Sequence, residues 1–257
     1  MRISHMETAF WYGCALRVAG ISAGAIHAAT RMMQWTDLRY GFSVSYFERS
    51  RSALNTDTAQ LRLLDEHTID AGGLTSLIVG PILLDRATVL AKKNGRITIR
   101  GRDVGNCGWL GHLAELATRR GFAATLSFST EGEDAGILSD IYSKARTMIG
   151  FPGEEAPWWI ETDVAYSDFV DKKIQTEPGM ILTLVNPAHD PAHTEAVRRS
   201  ADELGLTMIT PDTLAESDRL RIREGWDADD AEWRSLAEFS FGVLAESTEQ
   251  SLRSAGA

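Results

Sequence analysis

The chain has 257 residues, of which 44% are hydrophobic and 24% charged, which is the composition of an ordinary globular protein with one large domain or two small ones. Its formal net charge of -10, without a lysine- or arginine-rich stripe, argues against nucleic acid or an anionic membrane surface as a partner. Cys14 and Cys107 are too few for a disulfide framework and form no C-x-x-C pair, so we expect a cytoplasmic protein. No apolar run has the length that crosses a bilayer.

Residues 1–60 are predicted to form an N-terminal helical region. Two helices are separated by a break at Gly20, with Ser22 as the N-cap of the second, and a further short helix is predicted over 46–55. Residues 61–257 are predicted to form an α/β core that ends in a helix. We expect the two parts to make one compact unit.

Short strands and helices alternate through the core. Strands are predicted at 61–64, 67–70, 96–100, 122–128, 158–161, 180–185 and 206–210, and helices at 77–92, 191–204 and 231–246. The acidic stretches 131–134 and 227–230 are predicted to be solvated loops and N-terminal turns of helices. The alternation indicates an α/β or α+β fold with a mixed sheet and flanking helices.

The segment Arg96–Ala117 is the most informative part of the chain. An alternating strand leads into a loop with glycines at 101, 105, 108 and 111, and an amphipathic helix starts at Leu110. Backbone N–H groups gathered at a helix N-terminus suit an anion or a cofactor phosphate. The loop does not fit the G-x-G-x-x-G pattern of Rossmann folds. The alternative is a structural turn that packs the helix closely on its strand.

Several short motifs follow one another along the chain. They include T-D-L-R at 36–39, Y-F-E-R-S-R-S-A-L-N at 46–55, I-D-A-G-G-L at 69–74, the glycine loop at 101–117 and R-I-R-E-G-W-D at 221–227. Together they resemble the type-2 malate/L-lactate dehydrogenase family, whose members are NAD(P)-dependent reductases of 2-oxo acids and cyclic imino acids with a non-Rossmann nucleotide-binding fold.

The resemblance implies a cofactor and partners as well as a fold. It implies NAD or NADP as the cofactor, a small-molecule ligand, and a homodimer, another homo-oligomer or a partner protein. The cofactor-binding residues that it implies are Gly105, Asn106, Gly108, Gly111 and Ser129.

The chain departs from the family pattern where chemistry is expected. Val44 stands where the family's D-S-H-G motif has the histidine that transfers a proton, and valine cannot do so. Asn106 stands in place of the histidine of N-H-F-G. The family's G-H-K-G segment and part of its helical subdomain have no counterpart between Lys173 and Pro178, so the chain is predicted to be a shortened, diverged member.

Two functions follow. The first is a diverged NAD(P)-dependent oxidoreductase acting on a 2-oxo acid or an imine. The alternative is a redox-dead relative, either a repurposed non-redox enzyme or a non-catalytic partner subunit, because of Val44. No catalytic residue is assigned; His112 and Asn106 are the candidates, and the other interpretation of His112 is a structural histidine.

Other candidate residues have structural explanations. The H-D-x-x-H pattern at 189–193 has the spacing of two metal ligands, but it coincides with a predicted helix start, and no metal is predicted. Cys107 is either a thiolate activated by the helix N-terminus or an inert thiol. Trp158 and Trp159 are predicted to face opposite sides of a strand, one in the core and one covering a pocket or an interface.

Overall fold

The structure is a computed structural model that describes residues 1–142, 145–154, 156–162, 179–203 and 205–243, except for the side chains of residues 193, 197, 200 and 201. The first half contains β1 (Arg2–Ile3), α1 (His5–Val18), α2 (Ala23–Arg39), α3 (Ser43–Ser50), β2 (Arg62–Leu63), β3 (Thr68–Asp70), α4 (Ser76–Asn94), β4 (Arg96–Arg102) and α5 (Gly111–Arg119). The second half contains β5 (Ala123–Ser129), α6 (Gly132–Ile141), β6 (Ala145–Phe151), β7 (Trp158–Thr162), β8 (Gly179–Val185), α7 (Pro191–Glu203), α8 (Pro211–Glu224), β9 (Trp226–Asp227) and α9 (Asp230–Ser240).

The described strands β2 to β8 form one mixed sheet in the order β2-β3-β4-β8-β5-β6-β7. Strands β3 and β4 are parallel, whereas every other neighbouring pair in this sheet is antiparallel. Outside it, β1 pairs with β9 and joins the start of the chain to the segment before α9. The predicted α/β class with a mixed sheet and flanking helices is confirmed.

The two faces of the sheet differ in polarity because successive strand residues point to opposite sides. Ile99, Leu182 and Leu184 lie in the main hydrophobic core, on the side where α4 and α5 pack. Thr98 and Thr183 are out of phase with them, and their hydroxyl oxygens are 2.9 Å apart. The sheet therefore buries one apolar face under the helices, and its other face carries hydroxyl groups beside a second, smaller hydrophobic cluster that includes Ile149, Phe151 and Val185.

The N-terminal helices and the last described helix share the main core with the sheet. Tyr12 of α1, Met33 of α2 and Leu236 of α9 are all buried in it. Helix α1 begins with a capping box, in which Ser4 and Glu7 bond each other's backbone N–H groups. Helix α9 packs on α1 and α3. No helix in the described ranges is long and apolar enough to span a membrane.

The prediction of a strand at 206–210 is wrong. Only Ile209 pairs there, through an isolated bridge to Trp159, with backbone hydrogen bonds of 2.7 and 3.0 Å. The apolar run matches a strand pattern, but the chain turns into α8 after Thr210, which caps that helix ahead of Pro211. Pairing therefore stops after one residue.

The sequence prediction misses β6 and α8, and also the two-residue strands β1 and β9. The signals for α8 are present, since Thr210 is a good N-cap and proline is favoured at the first helical position. The acidic stretches do lie at helix N-termini, because α6 begins at Gly132 and α9 at Asp230. The prediction of solvation is wrong for Asp134, whose Oδ2 atom is buried.

Candidate functional site

The glycine loop between β4 and α5 packs closely against the chain itself. A Cβ on Gly108 would lie 2.6 Å from a ring carbon of Tyr46, and one on Gly111 would lie 2.4 Å from a ring carbon of Trp35. At Gly105 it would lie 2.6 Å from the carbonyl oxygen of Gly73. Such distances leave no room for a side chain. Packing within the chain therefore accounts for all three glycines.

Asn106 and Cys107 lie in the turn between these glycines. Asn106 is buried in the left-handed region with φ 55°, and its carbonyl accepts a hydrogen bond of 2.5 Å from the Ser76 hydroxyl. The Cys107 thiol donates to the carbonyl of Val104 at 3.2 Å. Burial, with a contribution from the charge of Asp134, raises the pKa of Cys107 well above its ordinary value. This burial favours the inert thiol over the activated thiolate.

A carboxyl group from α6 faces this loop. The Tyr46 hydroxyl donates to Oδ1 of Asp134, while Oδ2 is buried and meets no hydrogen-bond partner within the described ranges. Burial raises the pKa of Asp134, whereas the Tyr46 hydroxyl and the nearby backbone N–H groups of Cys107 and Asn106 lower it. The backbone groups predicted to meet a cofactor phosphate thus lie beside an acidic side chain of the same chain.

Val44 lies in the first turn of α3 and is 4% exposed. The polar groups of this turn are tied to a buried carboxyl group. Asp37 accepts hydrogen bonds from the Ser43 N–H, at 2.8 Å, and from the Tyr12 hydroxyl, and the Trp109 indole donates to the Ser43 hydroxyl at 2.9 Å. Burial raises the pKa of Asp37 to about 7, although its hydrogen bonds oppose the rise.

A groove of about 560 Å³ lies between α2, α4, α5 and α8, and His5 of α1 also lines it. Its apolar walls include Met32, Leu84, Leu113, Leu116 and Ile222. Its charged and histidine side chains include His27, Arg31, His112, Glu115, Arg119 and Asp218.

Glu115 is the centre of an ion network beside this groove. It accepts hydrogen bonds from Trp35 at 2.6 Å, from Arg39 at 2.8 Å, and from Arg119 at 2.7 and 2.9 Å. Arg39 also pairs with Asp218. Burial raises the pKa of Glu115, but its partners outweigh burial and bring the value to about 2. Glu115 is therefore a fixed negative charge at neutral pH.

His112, the other predicted catalytic candidate, is 8% exposed and lines the groove. Its Nδ1 atom is buried and has no hydrogen-bond partner among the residues that the structure describes. Burial lowers the pKa of His112 to about 4; Glu115 acts against this shift, and Arg31 adds to it. The ring is therefore neutral at pH 7, with one nitrogen able to donate and the other able to accept a hydrogen bond.

The remaining predicted residues are placed as follows. Ser129 ends β5, where it is paired with Ala145 of β6 and Gly179 of β8. Trp159 is buried in the main core, while Trp158 is half-buried on the opposite side, so the predicted alternation is confirmed. Among described residues no group of three histidine, cysteine, aspartate or glutamate side chains could hold a metal. Some parts of the sequence prediction lie outside the described residues, namely the His193 side chain, the segment 173–178 and the ends of two predicted helices at 204 and 244–246.

Comparisons with known proteins give a match at the level of structure alone. No protein-family model and no curated protein matches the sequence. The chain has the malate/L-lactate dehydrogenase-like fold. Malate dehydrogenase from Entamoeba histolytica aligns over 96% of this chain and 99% of its own, with 14% identity and a TM-score of 0.66.

Two further solved structures with the malate/L-lactate dehydrogenase-like fold are of differently named enzymes. Sulfolactate dehydrogenase from Methanocaldococcus jannaschii aligns over 95% of this chain and 97% of its own, with 14% identity and a TM-score of 0.67. Delta1-piperideine-2-carboxylate reductase from Pseudomonas syringae pvar. tomato covers 93% and 99%, with 11% identity and a TM-score of 0.57. At such identities the likeness concerns the fold.

Sequence reasoning missed the two acidic groups that define the surroundings of these candidates. Asp134 approaches Tyr46 across 88 residues of sequence, and Glu115 meets Trp35 across 80. The motif T-D-L-R does contain Asp37 and Arg39, which serve two different networks. The sequence motif indicated that Asp37 and Arg39 matter, but only the folded structure shows which distant residues they contact.

Proposed function

We propose that the chain is a diverged small-molecule enzyme of the malate/L-lactate dehydrogenase-like group, an NAD(P)-dependent oxidoreductase that reduces a 2-oxo acid or an imine. The strongest support is the structural match, which covers almost the full length of the matched proteins. These are named as a malate dehydrogenase, a sulfolactate dehydrogenase and a delta1-piperideine-2-carboxylate reductase. We also propose that the protein is a cytoplasmic homodimer and a shortened member of this group.

The proposed cofactor contacts are Gly105, Asn106, Gly108, Gly111 and Ser129. Atoms of the chain itself fill the space into which a Cβ of each loop glycine would project. A dinucleotide would therefore have to contact the loop backbone from a different direction. A bound nicotinamide would supply the hydride. We assign no proton donor, because Val44 cannot act as one and the buried, neutral His112 faces the groove.

Two observations favour the alternative, a redox-dead relative that is a non-redox enzyme or a partner subunit. Asp134 lies beside the backbone N–H groups that would meet a phosphate, and a like charge there weakens anion binding whenever the carboxyl group is ionised. Val44 is part of the packed core, so no water or small ligand reaches this position to replace the missing imidazole.

Titration of the purified protein with NADH and NADPH, followed by cofactor fluorescence, separates these functions. The oxidoreductase proposal predicts saturable binding below about a millimolar, the upper end of ordinary ligand affinities. Gly108→Val should abolish it, whereas Gly136→Ala on α6, where a Cβ meets nothing within 4 Å, is the matched control. Absence of binding for both cofactors would end the proposal and leave the redox-dead alternative.

A further inference from the structure

The groove between α2, α4, α5 and α8 contains a buried polar side chain without a partner. The His112 ring forms no hydrogen bond in the described part of the chain, and its Nδ1 is shielded from solvent. Buried polar groups in folded proteins are nearly always hydrogen-bonded, because an unpaired one costs about 1–3 kcal/mol. Nδ1 itself is closed off from the groove, but the ring lines it, so a ligand there can take a hydrogen bond from the part of the ring that faces it.

The groove also contains a cation without an acidic partner. Arg119 pairs with Glu115, and Arg120 pairs with Asp85 at 2.8 Å. Arg31 makes no ion pair among the described residues, yet it is close enough for its charge to act on His5 and His112. Since the acidic groups of the groove already face arginines, the exposed Arg31 is a cation with which an added negative charge can pair.

Size and wall chemistry restrict the ligand further. A volume of about 560 Å³ falls within the range of about 300–1,000 Å³ that is usual for small-molecule sites. Met32, Leu84, Leu113 and Leu116 provide apolar surface beside Arg31 and His112. Glu115 and Asp218 would repel further negative charges. These features fit an apolar body that carries a single carboxylate.

We propose that this groove binds a small organic monocarboxylate, with Arg31 pairing with the carboxylate, His112 donating a hydrogen bond from its ring to the ligand, and the leucine-rich wall receiving the apolar part. The proposal does not rest on the oxidoreductase function, because no predicted cofactor residue lines the groove.

Isothermal titration with phenylacetate, in the absence of any nicotinamide cofactor, tests this site. We expect phenylacetate to bind with a Kd below about a millimolar, and the neutral phenylacetamide to bind at least about ten-fold more weakly. Arg31→Gln should weaken phenylacetate binding about ten-fold or more, while Arg62→Gln on β2, which makes the same charge change away from the groove, should not.

His112→Leu should weaken binding without unfolding the protein, because leucine fills the space and removes the unpaired nitrogens; circular dichroism checks the fold. In the wild type, phenylacetate should also shift the NMR signals of the His112 ring. Equal affinity for acid and amide, or unchanged binding by Arg31→Gln, would overturn the proposal. The proposal would also fail if sedimentation showed a dimer and that dimer did not bind phenylacetate, because a second copy of the chain would then cover the groove.

Discussion

The two sides of the segment from Gly105 to His112 differ in what faces them. The loop side is filled by the chain, with Tyr46 packed on Gly108 and its hydroxyl bonded to Asp134. The groove side, starting at His112, has an imidazole beside an apolar wall, and the described part of the chain offers this ring no hydrogen-bond partner. One strand-loop-helix segment can thus be closely packed at its glycine loop and line an open groove at the very next residue.

The largest expected effect comes from forcing the closed side open. Gly111→Val would place side-chain atoms into Trp35 and the Met148 sulfur, which lie 2.4 and 2.7 Å from an ideal Cβ. We expect a loss of stability of about 3 kcal/mol or more, since overpacking of a rigid core is costly. Urea unfolding measures this, with Gly136→Ala inside α6 as the variant that should be no less stable than wild type and should gain up to about 1 kcal/mol from helix propensity. A stable Gly111→Val protein would mean that the loop is not closed by packing.

The second-largest loss of stability should come from breaking the ion network beside the groove. Glu115→Gln leaves Arg39 and Arg119 without their shared carboxylate, and breaking a buried ion pair costs about 3 kcal/mol. Because the folded-state pKa of Glu115 is lowered to about 2 from 4.5, its contribution is present above pH 4.5 and is lost as the pH falls towards 2. Unfolding free energies measured across this window should decline in the wild type and much less in Glu115→Gln. Parallel declines would contradict the network.

Asp37 should show a pH dependence of the opposite sign. Its folded-state pKa is raised to about 7 from 3.8, so the folded chain keeps a proton that the unfolded chain releases between these values. Stability should therefore fall as the pH rises from about 4 to 7, by up to about 1.4 kcal/mol per unit. Asp37→Asn should flatten this slope in urea-unfolding series. A wild-type slope of zero would show that Asp37 is not held protonated.

The smallest effect concerns the open side. With its pKa lowered to about 4 by burial, His112 should stay neutral between pH 6 and 8. NMR should show the ring-proton signals of His112 unchanged over this range. A midpoint for His112 near 6.5 would mean that the ring is solvated and that the groove wall lacks a buried unpaired group.

Sequence patterns captured the parts of this molecule that depend on near neighbours. The break at Gly20, the strand from Arg96 and the helix from Pro191 each follow from local turn, alternation or capping signals. The surroundings of the site depend on pairs far apart in sequence. Nothing local indicates that Asp134 meets Tyr46, or that α2 and α8 contribute Arg31 and Asp218 to one groove.

Hydride transfer tests the proposed function most directly. The protein is incubated with NADH or NADPH deuterated at C4 of the nicotinamide and with a panel of 2-oxo acids and cyclic imines, and the products are analysed by mass spectrometry. The proposal predicts a 2-hydroxy acid from a 2-oxo acid, or a cyclic amino acid from a cyclic imine, with deuterium on the former carbonyl or imine carbon. This product should form only when the protein is present. Cofactor binding without deuterium in any product, or no binding at all, would contradict it.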